Sequence, residues 1–131
     1  MPRTLIALSA ALGLLVLPAR AQIVEDGSDA AIGKEDAALV LALVAERFAP
    51  LDPKVTTLRR AAGIGRGAWI CGAVNVKNRD GLYIGERGFV VEVGSRFFGR
   101  VPEGPELMNP RAEGFAEKER IRQLFFDLCL D

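Results

Sequence analysis

The sequence has 131 residues, with 17 basic and 17 acidic side chains, 50% hydrophobic residues and no histidine. The lack of histidine excludes Ser-His-Asp and Cys-His nucleophilic catalysis and every histidine-ligated metal or haem site. Carboxylate, lysine and substrate-assisted mechanisms stay open, but no Asp or Glu pair has a spacing that suggests one, so an enzyme is disfavoured.

The first 21 residues have the three parts of a secretory signal peptide. Arg3 supplies a basic start, residues 5–17 are almost wholly apolar, and residues 19–21 read Ala-Arg-Ala, with the small residues that signal peptidase needs. Such an apolar helix spans about 20 Å, short of a bilayer core of roughly 30 Å. We predict cleavage after residue 21, a periplasmic or secreted protein, and no membrane span afterwards. An uncleaved anchor or a buried helix is the alternative.

The mature chain begins with a small, polar segment and then a helix. Residues 22–33 contain two glycines and predict a flexible lead-in, so one domain is expected at residues 34–131. Residues 34–48 predict an amphipathic helix that Pro50 prevents from continuing. Five apolar side chains share one face of that helix: Ala37, Val40, Leu41, Val44 and Phe48.

The middle of the chain predicts three to four antiparallel strands. A first strand is expected at residues 54–60 and the most regular one at residues 68–76. An Asp-Gly turn leads to a short extended piece at residues 82–84, with further strands at residues 89–93 and 96–98. The glycine-rich residues 63–67 precede a strand, not a helix, so they predict a hairpin turn rather than a phosphate-binding loop.

Three prolines make residues 101–110 an irregular loop before a C-terminal helix that begins near Phe115. The apolar stripe of this helix is Ile121, Leu124, Phe125 and Leu128. The element order predicts an α+β domain: a small antiparallel sheet of three to four strands, with an N-terminal and a C-terminal helix packed on one face.

Cys71 and Cys129 are the two cysteines of the chain. In an oxidising compartment such a pair usually forms a disulfide, which here would join a central strand to the C-terminal helix. A reactive thiol or a metal site is the alternative. Without histidine the pair is a poor metal set, and a catalytic cysteine needs a positive neighbour. We therefore predict a disulfide, no metal and no cofactor.

Residues 71–78 read CGAVNVKN, and the pattern Gly-x-Tyr-x-Gly-x-x-x-Phe follows at residues 81–89. This stretch resembles a family of small exported proteobacterial proteins of unknown function with a Cys-Gly-x-Val-Asn-x-Lys-Asn motif. That family has an upstream Asp-Pro turn and often a second cysteine near the C-terminus, which Asp52-Pro53 and Cys129 match. It often has Gly-Gly-Tyr where Leu82 precedes Tyr83 here. The resemblance implies export and a Cys71–Cys129 bridge, and no activity.

The same stretch supplies the candidate ligand-binding residues, which are Asn75, Lys77, Asn78, Arg79, Tyr83 and Arg87. Amide and ammonium donors beside an aromatic ring at a strand end suit a polar ligand. In the alternative, the two asparagines hydrogen-bond turn backbone groups, and Tyr83 and Trp69 pack in the core. Four arginines could extend the site as a basic rim or could form only a solvated face: Arg79, Arg87, Arg96 and Arg100.

Charge is distributed unevenly along the mature chain. Residues 22–53 carry a net charge of −5, residues 54–101 +6 and residues 102–131 −3. Either the acidic ends pack beside the basic middle, or the middle offers a basic face to an anionic partner.

Three functions compete for this sequence. Small size, a disulfide and the missing histidine favour an exported, non-catalytic binding module of the cell envelope, whose partner is an envelope protein or an anionic envelope component. A small hydrolase that uses carboxylates or Lys77 is the second hypothesis. An inhibitor of a secreted hydrolase, acting through the loop at residues 101–110, is the third. Nucleic-acid binding is disfavoured because the mature chain carries a net negative charge and has no repeated basic and aromatic pattern.

Overall fold

Alternating apolar side chains build four antiparallel strands, and the computed structural model, which describes residues 23–130, joins them in the order β1–β2–β3–β4. The strands are β1 (Lys54–Arg60), β2 (Trp69–Lys77), β3 (Tyr83–Glu92) and β4 (Phe97–Arg100). The helices are α1 (Asp29–Ile32), α2 (Lys34–Phe48) and α3 (Phe115–Cys129). The predicted α+β class is confirmed. The predicted signal peptide lies outside the described residues.

Helix α2 and strand β1 have the predicted bounds. The acidic first turn of α2 and Arg47 in its last turn suit the helix dipole, and Pro50 falls in the 3-10 turn Ala49–Leu51 that follows. Gly33, at a φ of 97°, separates α2 from α1 in a conformation that few other residues adopt.

Strand β3 is longer than predicted. The sequence predicts two extended pieces, at residues 82–84 and 89–93, but the structure forms one strand that pairs with β2 from Tyr83 to Glu92. Gly85, at a φ of 106°, and a register shift between Asn75 and Lys77 accommodate the irregularity. Pairing with β2 therefore keeps residues 85–88 in the strand, although their side chains do not follow the alternating apolar pattern of a strand.

The two long helices lie on opposite faces of the sheet, so the prediction that both pack on one face is wrong. Val40 and Val44 of α2 share a buried cluster with Ile70 and Val74 of β2. The intervening Cys71 points the other way and clusters with residues of α3. Successive strand side chains point to opposite faces, and β2 is apolar at both sets of positions, so each face needs its own helix.

The α3 face depends on small strand residues and a disulfide. A Cβ atom at Gly88 would lie 2.5 Å from the ring of Phe125, so the helix approaches the sheet closely there. Cys71 of β2 and Cys129 of α3 form a disulfide, with their Cα atoms 5.7 Å apart. Both half-cystines are buried, and Phe125 and Leu128 pack around them. The predicted bridge is thus present and joins α3 to the central strand.

The domain begins before Lys34, where the sequence analysis placed its start. Val24 is 1% exposed and belongs to the core beneath α2. The backbone N–H of Glu25 donates to the carbonyl of Val55, and the Ser28 hydroxyl accepts from the N–H of Leu58. The segment predicted to be a flexible lead-in therefore covers the outer edge of β1. Two buried apolar residues, Val24 and Ile32, anchor this otherwise polar segment, so its composition did not indicate that it packs on the domain.

Within residues 23–130, no helix combines the length and the apolar character needed to cross a bilayer.

Candidate functional site

All six predicted site residues lie in the hairpin of β2 and β3, but they do not form one cluster. Asn75 and Asn78 use their side chains on the backbone. The Asn75 Oδ1 atom accepts from the N–H of Gly85, and the Asn78 Oδ1 atom accepts from the N–H groups of Asp80 and Leu82. The asparagines therefore shape the hairpin, which is the structural alternative set out above.

Lys77 and Tyr83 meet Asp52, which the sequence analysis had assigned only to a turn. The Lys77 Nζ atom lies 2.8 Å from Asp52 Oδ2. The Tyr83 hydroxyl donates to the Asp52 carboxylate at 3.2 Å and lies 3.1 Å from its backbone carbonyl. The ring of Tyr83 receives the Lys54 ammonium at 4.3 Å and the Lys77 ammonium at 5.4 Å from its centroid. Tyr83 is thus a surface residue and not part of the core.

The electrostatics of this cluster favour an ion pair over acid–base chemistry. The hydrogen bond and charge of Lys77 lower the pKa of Asp52, and Asp52 in turn raises the pKa of Lys77. Both groups stay charged near neutral pH, whereas a general acid or base needs a pKa close to the working pH. The predicted hydrolase would need Lys77, Asn75, Asn78 or Tyr83 in a polar pocket with an acidic residue such as Glu86 or Glu92. Lys77 and Tyr83 do meet an acidic residue, Asp52, but its side chain is 66% exposed.

The remaining two predicted site residues do not join this cluster. Arg87 forms an ion pair with Glu103, in the loop after β4. Arg79 is exposed in the hairpin turn and makes no ion pair or side-chain hydrogen bond with any residue in the described part of the chain. Of the predicted six, Lys77 and Tyr83 therefore meet at Asp52, Asn75 and Asn78 bind the hairpin backbone, and the two arginines lie apart.

Ion pairs explain the charge pattern of the sequence. Four basic residues of the middle segment contact acidic residues of the flanking segments, namely Arg60 with Asp36, Lys77 with Asp52, Arg87 with Glu103 and Arg100 with Glu106. Two more arginines serve α3, since Arg59 donates to the carbonyl of Cys129 and Arg66 to that of Asp127 at 2.8 Å. The acidic ends thus complement the basic middle, and less positive charge remains for an anionic partner.

Three exposed apolar residues adjoin the members of the Asp52 cluster in the chain. Leu51 is 38% exposed, Leu82 64% and Ile84 54%. Leu51 precedes Asp52 in the chain, and Leu82 and Ile84 stand on either side of Tyr83. We call the seven residues Leu51, Asp52, Lys54, Lys77, Leu82, Tyr83 and Ile84 the hairpin-end surface. The sequence analysis missed Asp52 and Lys54, although the match of Asp52-Pro53 to the family pattern was a signal for the first.

A shallow cleft of about 270 Å³ lies beside the disulfide, between strands β1 to β3 and α3, with Ala73, Gly88 and Phe125 in its walls. Across residues 23–130, no three acidic or cysteine side chains lie together as a metal site would require.

Comparisons with protein-family models, curated proteins and solved structures gave no match for this chain. The family resemblance therefore stays a prediction, and function has to be argued from the surface itself.

Proposed function

We propose that this protein is an exported, non-catalytic binding module that contacts an envelope protein through the hairpin-end surface. One observation carries the proposal: a polar cluster whose groups satisfy one another, Asp52 with Lys77 and Tyr83, is next in the chain to three exposed apolar residues. Protein interfaces combine these features, since apolar and aromatic side chains supply the buried centre and polar groups surround it.

The alternative partner, an anionic envelope component, finds less support. Asp52 occupies the centre of the cluster, so a phosphate or carboxylate at Lys77 would have to displace it. The arginines that could extend a basic rim are separated, because Arg87 and Arg100 pair with Glu103 and Glu106. A protein surface with apolar groups and a few charges fits the hairpin-end surface better than a polyanion does.

Export is the second part of the proposal. The signal-peptide pattern of residues 1–21 and the Cys71–Cys129 disulfide support it together, since disulfides persist in oxidising compartments. A chain retained in the cytosol would keep both cysteines as thiols. Mass spectrometry of the protein recovered from cells reads the mature N-terminus and the thiol state in one measurement. An intact N-terminus with two free thiols would contradict export.

The contact is tested by photo-crosslinking in cells of the source organism. A photoreactive amino acid replaces Leu82, which is 64% exposed, and in a control replaces Ile64, which is 105% exposed in the β1–β2 loop at the other end of the sheet. We expect one dominant protein adduct from position 82 and none of that mass from position 64. Equal adducts from both positions, or none from position 82, would refute the proposed surface.

A second variant tests the chemistry of the contact. Leu82→Asp replaces an exposed apolar side chain of the surface with a charge, so capture of the same partner by the tagged protein should fall at least tenfold, and Ile64→Asp should leave it unchanged. Both positions are exposed, so neither change should disturb the fold. Undiminished capture by Leu82→Asp would show that the partner binds elsewhere.

A further inference from the structure

The end of the sheet opposite the hairpin carries a second set of side chains that the hairpin-end surface does not use. Trp69 of β2 pairs with Glu92 of β3, and Glu92 pairs with Phe97 of β4, so the three residues form one row across the sheet. Trp69 and Phe97 are on the α3 face, packed at the edge of its apolar cluster. This row, with Ser95, Arg120 and Leu124, lines a cleft of about 420 Å³.

The two aromatic rings form a corner. The centroids of Trp69 and Phe97 are 6.2 Å apart, and their planes meet at 73°. Both residues are only half-buried, so the corner borders solvent. The face of an aromatic ring carries the negative part of its quadrupole, so a cation that lies over a ring face in this corner is attracted.

Two opposite charges face the same cleft without pairing with each other. The Glu92 carboxylate accepts a hydrogen bond from the Ser95 hydroxyl at 2.7 Å and has no ion pair with any described residue. The Arg120 guanidinium lies over the Phe97 ring at 6.0 Å from its centroid and meets no carboxylate within the described chain. Ion pairs hold only part of the charged groups elsewhere in residues 23–130, but here an acid and a base without an ion pair line one cleft, which leaves room for a ligand that carries both charges.

We infer that this cleft binds a small zwitterion, a molecule with a cationic nitrogen and a carboxylate. The nitrogen would lie in the corner of Trp69 and Phe97 with Glu92 as its counter-ion, and the carboxylate would accept hydrogen bonds from the Arg120 guanidinium, whose planar fork matches it. The cleft volume falls within the range of roughly 300–1,000 Å³ typical of small-molecule sites, which admits a ligand the size of an amino acid.

This site is independent of the proposed protein contact. Trp69 and Lys77 are the two ends of β2, which at about 3.3 Å per residue places them roughly 26 Å apart. Loss of one function therefore leaves the other intact.

Trp69 is the single tryptophan of the chain and so reports on the cleft directly. Protein purified from cells that express the full chain is titrated with glycine betaine, which joins a trimethylammonium group to a carboxylate. We expect a saturable change in tryptophan emission. Choline, which lacks the carboxylate, and acetate, which lacks the cation, should each bind at least tenfold more weakly.

Charge-neutral variants assign the two roles. Glu92→Gln and Arg120→Gln should each weaken betaine binding at least tenfold, and Glu92→Gln should also weaken choline binding whereas Arg120→Gln should not. Glu113→Gln and Arg111→Gln, at exposed positions in the loop before α3, are the matched controls and should bind as the parent does. Circular dichroism and the disulfide mass confirm the fold of each variant.

Three results would overturn the inference. The first is the absence of a saturable emission change with glycine betaine. The second is equal binding by the parent and the Glu92→Gln and Arg120→Gln variants. The third is tighter binding of a neutral saccharide such as N-acetylglucosamine, which would make the aromatic rings a sugar platform. None of these outcomes bears on crosslinking at Leu82, so the two proposals fail separately.

Discussion

Removing the disulfide tests how α3 is held on the sheet. The variant is Cys71→Ala/Cys129→Ala, because both half-cystines are buried, at 4% and 5% exposure, and alanine leaves no reactive thiol. The bridge closes a loop of 58 residues. The chain-entropy model gives about 4 kcal/mol for a loop of that length. Since small domains have a free energy of unfolding of roughly 5–15 kcal/mol, this is a large fraction.

The assay is urea unfolding followed by Trp69 fluorescence and circular dichroism. We expect the free energy of unfolding of the double variant to fall by about 4 kcal/mol, which corresponds to a drop in Tm of roughly 15 °C or more for a domain of this size. Reductant should bring the parent protein to the stability of the variant and leave the variant unchanged. A loss below about 1 kcal/mol would refute the reasoning and show that packing of Phe125 and hydrogen bonds from the arginines hold α3 unaided.

Three further changes test the packing and the polar contacts. Gly88→Ala places a Cβ atom 2.5 Å from the Phe125 ring, so the ring or α3 must shift, and unfolding measurements should show a loss of about 1–3 kcal/mol. Lys77→Met removes the main cause of the lowered Asp52 pKa, so an NMR titration should show that pKa rise toward its ordinary value of 3.8. Because the folded pKa is the lower one, the stabilisation from this pair is present above pH 4 or so and lost as the pH falls through the folded value. Arg60→Ala removes the ion pair with Asp36 and hydrogen bonds to the carbonyls of Ile32 and Gly67, and should cost about 1 kcal/mol, discounted for partial exposure.

Each change has a matched control. Gly94→Ala meets no atom within 4 Å and should leave stability unchanged. Lys54→Met removes only a weak charge interaction with Asp52 and should move its pKa less than Lys77→Met does. Arg79→Ala removes an exposed arginine of the hairpin turn. If a control behaved like its test variant, the contact assigned to that test residue would be wrong.

Local signals were enough for α2 and β1. The helix has acidic residues in its first turn and Pro50 beyond its end. Strand β1 lies between a turn at Asp52 and a glycine-rich loop. Residues close in the sequence therefore determine where both elements begin and end. Strand β3 was divided because the segment from Gly85 to Gly88 lacks an apolar pattern. Pairing with β2 supplies the hydrogen bonds of this segment, and that pairing cannot be predicted from neighbouring residues in the sequence.

The placement of the helices was available from the sequence but was misjudged. Strand β2 is apolar at Ile70 and Val74 and also at Trp69 and Cys71, on alternate faces, and a strand apolar on both sides has to be covered on both sides. The candidate site was predictable only in part. Lys77 and Tyr83 are close in the hairpin, but Asp52 reaches them from 25 residues before Lys77 through a tertiary contact that spacing does not reveal.

The opposite placement of α2 and α3 has a consequence for how this sequence can diverge. Neighbouring residues of β2 pack against different helices. Substitutions at Ile70 and Val74 should therefore be compensated by changes in α2. Substitutions at Ala73 should be compensated by changes in α3 or in the adjacent strands. Correlated changes among descendants should therefore alternate along the strand, residue by residue. The domain would then evolve as two half-cores that share one backbone, with the Cys71–Cys129 pair gained or lost only as a unit.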